Sequence, residues 1–541
     1  MAQPAPSRSA GLHTRRAALA GLATAFVVSA RKASAATGEA ALRIATSSPP
    51  TSLDPHFHNL MPNNALAAHV FDRLVHQDAR QNLQPGLATA WTSPSDTVWE
   101  FTLRPGVRFH DGQPFTAADA VASLARAPAV PNSPGSFAQF LRGIASVEAV
   151  GPLRLRIATK TPQPLLPNDL SMIAIIPARF RDAPTEAFRT GEAMIGTGPF
   201  RFGSFTPGAG AELSGNPDYW DGAPPWRRVT LRIIPDDTAR VAALAAGDVD
   251  LAEAVPTYQR PMLAARPGIR FWQTVSNRLI FLALDTNREV SPLVTDRGGK
   301  ALAANPLRDL RVRRALSLAL QRDSLAQRLM EGQAEPAGDV LAPGFFGASP
   351  RLNPDPYDPA MARKLLAEAG YPEGFRLMLQ GSNNRFPNDD KLLQAVAQML
   401  TRIGIETRAE ALPFSMLLSQ GGAPHYAYSA MLLSFGANTG ESSVSLRSLI
   451  GTPDRETGFG AANRGRYGNP AFDALLRQAI ATVAVDERRA LLERASEMAM
   501  ADKAILPVLF QVNLWATRPG FAYQARADEW TLARYVTSTP E

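Results

Sequence analysis

Two stretches of the 541-residue chain bring side chains capable of ligand chemistry to the end of an apolar run. Residues 375–380 (FRLMLQ) lead into Ser382-Asn383-Asn384-Arg385-Phe386, and residues 428–433 (YSAMLL) lead into Ser434-Phe435-Gly436-Ala437-Asn438. Arg385 carries a planar guanidinium that can hold a carboxylate through two parallel hydrogen bonds, which a Lys cannot reproduce. Its other use would be to cover the helix expected from Asp389. Phe435 can stack over an apolar or peptide group, or simply close a buried strand. Asn438 can offer an amide hydrogen bond.

Catalytic equipment is harder to find. His56, His58, His69 and His76 lie close together, and neutral imidazole is a common metal ligand, but their spacing matches no fixed metal motif. His69 and His76 fall on one face of a helix expected over residues 64–75, and His110 belongs to a Phe-His-Asp-Gly turn. Neither G-x-S-x-G nor H-E-x-x-H occurs. There is no Cys, which excludes a thiol nucleophile, a disulfide framework, a cysteine metal site and a lipid-modified cysteine. Residues 458–463 (GFGAAN) lack the third glycine of a dinucleotide loop. The pairs Asp236-Asp237 and Asp389-Asp390 stand where helix N-termini attract acids. No enzyme activity, no cofactor and no resident metal are therefore expected, and a secreted hydrolase is the weaker alternative.

The elements that must position Arg385 and Phe435 read as strand–helix–strand units. Residues 229–234 alternate as a strand, Asp236 or Asp237 caps a helix up to Ala246, Gly247 stops it, and a short strand follows at 249–252. Asp358 and Pro359 start a helix with Met361, Leu365, Leu366 and Ala369 on one side, Gly370 ends it, and 375–380 is a strand. A further helix places Leu392, Leu393, Val396, Leu400 and Ile403 on one face before Gly404 and a strand at 405–411. Such units build parallel sheet covered by helices, so the fold class is α/β. The helix from Asp309 turns Val312, Leu316, Ala319 and Leu320 inward, with Arg311, Arg313, Arg314 and Arg322 mostly outward.

Composition agrees with a large globular body: 45% hydrophobic and 19% charged residues, with no apolar run long enough to span a bilayer. The net charge of +7 does not point to nucleic acid, because Arg8, Arg15, Arg16, Arg31 and Lys32 supply most of it from an acid-free leader. That leader, residues 1–36, has Arg15-Arg16, an apolar stretch over 17–30 that is too short to cross a membrane, and Ala33-Ser34-Ala35-Ala36 at its end. It reads as a cleaved signal peptide whose paired Arg resembles a twin-arginine signal. The mature chain is expected to be periplasmic, soluble and without a lipid anchor.

Residues 87–126, LATAWTSPSDTVWEFTLRPGVRFHDGQPFTAADAVASLAR, resemble the signature segment of the family 5 extracytoplasmic solute-binding proteins of peptide and nickel ABC transporters. The resemblance continues through GTGPF at 196–200, NPDYW at 216–220, LAAGDVDL at 244–251, DLRVRRALSLALQRD at 309–323, and residues 357–375 and 392–405. It implies a two-lobed periplasmic-binding-protein fold with a hinge and an extra domain inserted in the first lobe. Lobe I would comprise residues 37–80, 189–285 and 506–541, the inserted domain 81–188, and lobe II 286–505. The ligand, a peptide-like or other small organic solute, would lie between the lobes of a monomer that delivers it to ABC permease subunits. A nickel or metal-chelate binder, or a partner of a chemoreceptor, are the alternatives.

By the same resemblance Arg385 stands where peptide-binding members pair an Arg with the ligand carboxylate. Phe435 stands where Trp is common, and Phe57 and His58 stand in a region that touches ligand. The segment Gly436-Ala-Asn-Thr-Gly-Glu441 lacks the Asp that holds a peptide α-ammonium, which puts free-amine peptides in doubt unless Glu441 reaches that point.

Overall fold

The computed structural model describes residues 40–539, so the expected export segment at residues 1–36 lies outside them. Strand Ala41–Thr46 buries Leu42, Ile44 and Ala45, and runs parallel to Arg228–Ile233 on one side and to Leu251–Ala252 on the other. Parallel neighbours require a crossover. Helix Asp237–Ala246 supplies it: the Asp236 carboxylate accepts the Ala239 N–H at 2.7 Å, and Gly247 ends the helix at φ 84°. Strands Gly210–Gly215 and Phe200–Thr206 continue this half of the sheet antiparallel.

The other half repeats the logic. Strand Arg376–Ser382 is parallel to Glu406–Leu412 and to Ala430–Gly436. Between the first two, helix Asp389–Arg402 buries Leu392, Leu393, Val396 and Leu400 against the sheet. Gly404, at φ 106°, makes the turn into the next strand.

Two long antiparallel strands, Arg270–Leu284 and Leu506–Thr517, join the halves into one 12-stranded sheet. Leu506–Thr517 lies between Arg270–Leu284 and Leu251–Ala252, although it comes last of the three in the chain. The ladder between the long strands breaks once: Val275 faces Val512 and Leu279 faces Phe510, so Ser276, Asn277 and Arg278 together oppose only Gln511. Such a bulge bends the strand and turns its extra residues out of the ladder.

A separate four-stranded antiparallel sheet contains Ala88–Ser95, Val98–Leu103, Arg154–Thr159 and Ile144–Gly151. Its own core is built on Phe101, Leu103, Phe115, Leu155 and Ile157. Helix Ala117–Arg126 ends in Arg126, whose guanidinium pairs with buried Asp54 at 2.6 and 2.8 Å and so ties this sheet to the main body.

Two expectations need correction. The helix expected over 64–75 spans Met61–Val70, and His76 lies in strand Val75–Gln77, so His69 and His76 do not share a helix face. Its stop is tertiary: the Val70 carbonyl accepts the Gly198 N–H at 2.9 Å and the chain leaves extended at Phe71. Arg313 and Arg322 are buried rather than outward. Arg313 donates to the carbonyls of Leu307, Arg308 and Asp502, and Arg322 to those of Ser317 and Pro507, satisfying oxygens that chain ends would leave bare. Among the described residues no helix is long and apolar enough to cross a membrane.

Candidate ligand-binding cleft

Arg385 lies three residues beyond strand Arg376–Ser382, at the carboxyl end where open α/β sheets bind ligands. Its N–H donates to the Asp389 carboxylate at 2.8 Å, which fixes the loop against the helix that follows. The guanidinium lies over the Phe414 ring, 5.0 Å from its centroid. Phe414 is itself held by its N–H on Asn384 Oδ1 at 2.9 Å. Arg385 has no carboxylate partner among the described residues, although its side chain is exposed. Desolvation by the surrounding protein, with Arg278 nearby, holds its pKa down at about 10 against the pull of Glu529.

Arg278 comes from the bulge of the long strand pair. Its Nε and Nη2 donate to the two Glu529 carboxylate oxygens at 2.8 and 3.1 Å. Ser276 Oγ reaches the same carboxylate at 3.2 Å. Burial alone would raise the Glu529 pKa, but the charge and hydrogen bonds of Arg278 outweigh it and leave the group below the usual range. Glu529 stands at φ 67°, a left-handed conformation that costs a non-glycine residue about 1–3 kcal/mol and persists only where surrounding contacts impose it. The remaining Arg278 nitrogen, Nη1, is shielded from solvent and has no hydrogen-bond partner.

Gly436 pairs with Arg278 across the ladder. A Cβ at Gly436 would lie 3.2 Å from Asn277 Oδ1, 3.7 Å from Asn438 Oδ1 and 3.8 Å from Arg278 Nη2, so the glycine lets these three polar groups approach one another where a side chain would crowd Asn277. Phe435, its neighbour, is half-buried and packs with Met431 and Leu433 on the lower core of this half. Asn438 is exposed, and its carbonyl accepts Gln81 Nε2 at 2.8 Å. Gln81 in turn accepts Asn277 Nδ2 at 2.8 Å, and Asn168 Nδ2 reaches the Thr439 carbonyl at 3.1 Å. On the opposite side Asn388 Nδ2 meets Thr257 Oγ1 at 3.2 Å. The two halves thus touch at both ends of the cleft.

Phe57 and His58 sit elsewhere on the first half. His58 Nδ1 is 2.9 Å from Thr51 Oγ1, and the residue pairs with Gly135, while the Phe57 carbonyl accepts Ser133 Oγ. Their partners are Gly135 and Ser133 in the loop after helix Ala117–Arg126 and Thr51 in the loop after strand Ala41–Thr46, not the Arg385 group. Glu441 does not line the cleft: it is 1% exposed and faces Arg488 at 3.4 Å. Buried His56 has Nε2 2.8 Å from the Ala174 carbonyl, and burial drives its pKa down to about 4. His110 Nε2 lies 2.9 Å from the Gly198 carbonyl, which makes it a structural turn residue.

Sequence reasoning passed over Arg278, Glu529, Asn277 and Gln81. One signal was available, since Ser276-Asn277-Arg278 interrupts an otherwise apolar strand with three polar residues. For Glu529 and Gln81 no local pattern existed, because their roles depend on a partner about 200 or more residues away.

Residues 82–457 match the family described as Bacterial extracellular solute-binding proteins, family 5 Middle. The chain belongs to this family. A curated family 5 relative is the glutathione-binding protein GsiB of Pectobacterium atrosepticum, 29% identical over 470 residues, covering 85% of this chain and 86% of that protein. Two solved structures share the family 5 fold. The periplasmic binding protein DppA from Helicobacter pylori, in complex with the peptide STSA, has a TM-score of 0.71 at 22% identity, covering 92% of this chain and 98% of that one. NikZ from Campylobacter jejuni, in complex with Ni(L-His), has a TM-score of 0.74 at 19% identity, covering 92% and 100%. A family 5 protein is a solute-binding component of an ABC transporter, in keeping with two α/β halves joined by a pair of long strands.

Proposed function

We propose that this protein is the periplasmic receptor of an ABC importer and carries a peptide-like, carboxylate-bearing small solute to its permease, releasing it unchanged. One observation carries this reading: the Arg385 guanidinium stands beyond the carboxyl end of a sheet strand and pairs with no carboxylate among the described residues, the nearby Glu529 carboxylate being already bonded to Arg278. A relative that binds glutathione, itself a peptide with carboxylates, supports the same class. The absence of an acid from the cleft-facing part of residues 436–441, with Glu441 turned into the interior, argues against recognition through a free peptide α-ammonium at that point.

The signalling logic is that of closure. A solute touching both halves stabilises the closed state more than the open one, and only that difference shifts the population. The lobes would be residues 37–80 with 189–285 and 506–541, and residues 286–505, with 81–188 inserted. The leader, residues 1–36, would direct export by the twin-arginine route, and the mature protein would act as a soluble monomer.

Mass spectrometry of material released on denaturing the purified protein, with calorimetry against glutathione, free and amidated peptides, nickel ion and nickel–histidine, tests the reading. Micromolar or tighter binding of glutathione or a peptide is expected. Binding of nickel–histidine alone, or recovery of a chemically altered peptide, would overturn it.

A further inference from the structure

The Arg278–Glu529 pair does more than tie the bulge to the segment that follows strand Leu506–Thr517. Three residues of the long strand pair are displaced from the ladder to bring Arg278 to Glu529, and Glu529 is held at a left-handed φ of 67° to meet it. Two of the guanidinium's three nitrogens are used on that carboxylate. The third, Nη1, is buried and unpartnered in a side chain only 11% exposed. A charged donor stripped of water and given no acceptor is a cost that the fold has not relieved internally. Two further buried atoms on the paired strands are without a partner, Ser434 Oγ, two residues before the Gly436 that faces Arg278, and Gln511 Oε1, opposite the bulge. Arg278 and Arg385 both act on the Glu529 charge, and Arg278 lies near enough to Arg385 to oppose its charge. The residue across the ladder from Arg278 is a glycine, which lets Asn277 Oδ1 and Arg278 Nη2 lie within 3.2 and 3.8 Å of where its Cβ would be.

We infer that Arg278 is the second half of a carboxylate clamp whose first half is Arg385. One ligand oxygen is taken by the exposed Arg385 fork and the other by Arg278 Nη1, with Glu529 as the positioning residue that fixes the Arg278 plane. This rests on the importer reading above and goes beyond it by naming Arg278, on the strand pair that joins the halves, as a second residue that reads the carboxylate. The summed charge of the three groups is positive, so an uncharged or cationic solute gains nothing from this point.

The test compares acids with their neutral twins by calorimetry: trialanine against trialanine amide, glutathione against its diethyl ester, and succinate against its dimethyl ester. The native protein is expected to bind at least one acid about 30-fold or more tightly than its neutral twin, as for a charge-assisted bidentate contact. Arg278→Lys keeps the charge but removes the fork, and is expected to reduce that ratio to about 3-fold, as is Arg385→Gln. Glu529→Gln is expected to weaken the acid about 10-fold while leaving the neutral twin's affinity unchanged, a split that a purely structural loss would not produce. Ligand-free unfolding midpoints are measured alongside, and Arg385→Gln, at an exposed side chain, provides a variant whose folding is not at risk.

If Arg278→Lys retains the full acid preference, the clamp is refuted. If no acid is preferred to its neutral twin by the native protein, the carboxylate inference falls even where a peptide binds and the importer reading survives. If succinate is preferred to its ester while glutathione and trialanine fail to bind, the peptide-like reading falls and the clamp stands.

Discussion

At the scale of single residues, the contrast between two arginines is instructive. Arg126 meets its carboxylate, Asp54, inside the protein, with both side chains at 5% exposure or less. Arg385 pairs with none among the described residues, its guanidinium lying over Phe414 instead. Breaking a buried pair by removing one member leaves the other uncompensated, so Arg126→Met is expected to lower unfolding free energy by about 3–5 kcal/mol, read by urea titration. Arg385→Ala should change that free energy by less than about 0.5 kcal/mol, as for an exposed substitution. It should weaken a carboxylate ligand by about 2 kcal/mol or more, read by calorimetry. A stability change as large as that for Arg126→Met would mean that Arg385 supports the loop rather than the ligand.

At the scale of elements, strand–helix–strand units were readable because each is local. The periodicity of Leu392, Leu393, Val396 and Leu400 matches a helix face that is buried, and the stops at Gly247, Gly370 and Gly404 are all left-handed or positive-φ turns. Leu393→Ala, at a side chain with no exposure in the middle of this face, is expected to cost about 2–5 kcal/mol, measured by denaturant midpoint. Met361 shows the limit of the same reasoning. It has the right spacing for the inner face of helix Pro359–Glu368 yet is 41% exposed, with Ala362 taking the buried position. Buried Arg313 and Arg322 were equally illegible, because periodicity assigns charge outward and cannot see carbonyls delivered from Asp502 or Pro507. In the cleft, Arg385 and the loop after strand Ala430–Gly436 were within reach of the sequence. The bulge at Ser276–Arg278 was not, since it exists only in the register between strands far apart in the chain.

At the scale of the whole molecule, the junction between the small sheet's surroundings and the second half is set by acids that prefer to be neutral. Burial lifts Glu441 to about 7 against the opposing charge of Arg488. It lifts Asp169 to about 8, with the Glu441 charge adding to the rise and Gln163 and Arg447 opposing it. Carboxyls of the unfolded chain titrate near pH 4. Between about pH 4 and 8 these two carboxyls hold protons in the folded protein that they release in the unfolded chain, so their contribution to stability falls as pH rises across that window. Urea unfolding at pH 5.5 and 8 should show the decline, and Glu441→Gln should flatten it. An unchanged slope in that variant would place the proton elsewhere.

The position of strand Leu506–Thr517 bears on how the chain is made. It is the last long strand to leave the ribosome, yet it fills the slot between Arg270–Leu284 and Leu251–Ala252. Until it arrives, a nascent chain carries two raw strand edges facing one another, each a template for wrong pairing with another copy. Neither half can be sealed during synthesis, and a product cut short before Leu506 would expose both edges at once.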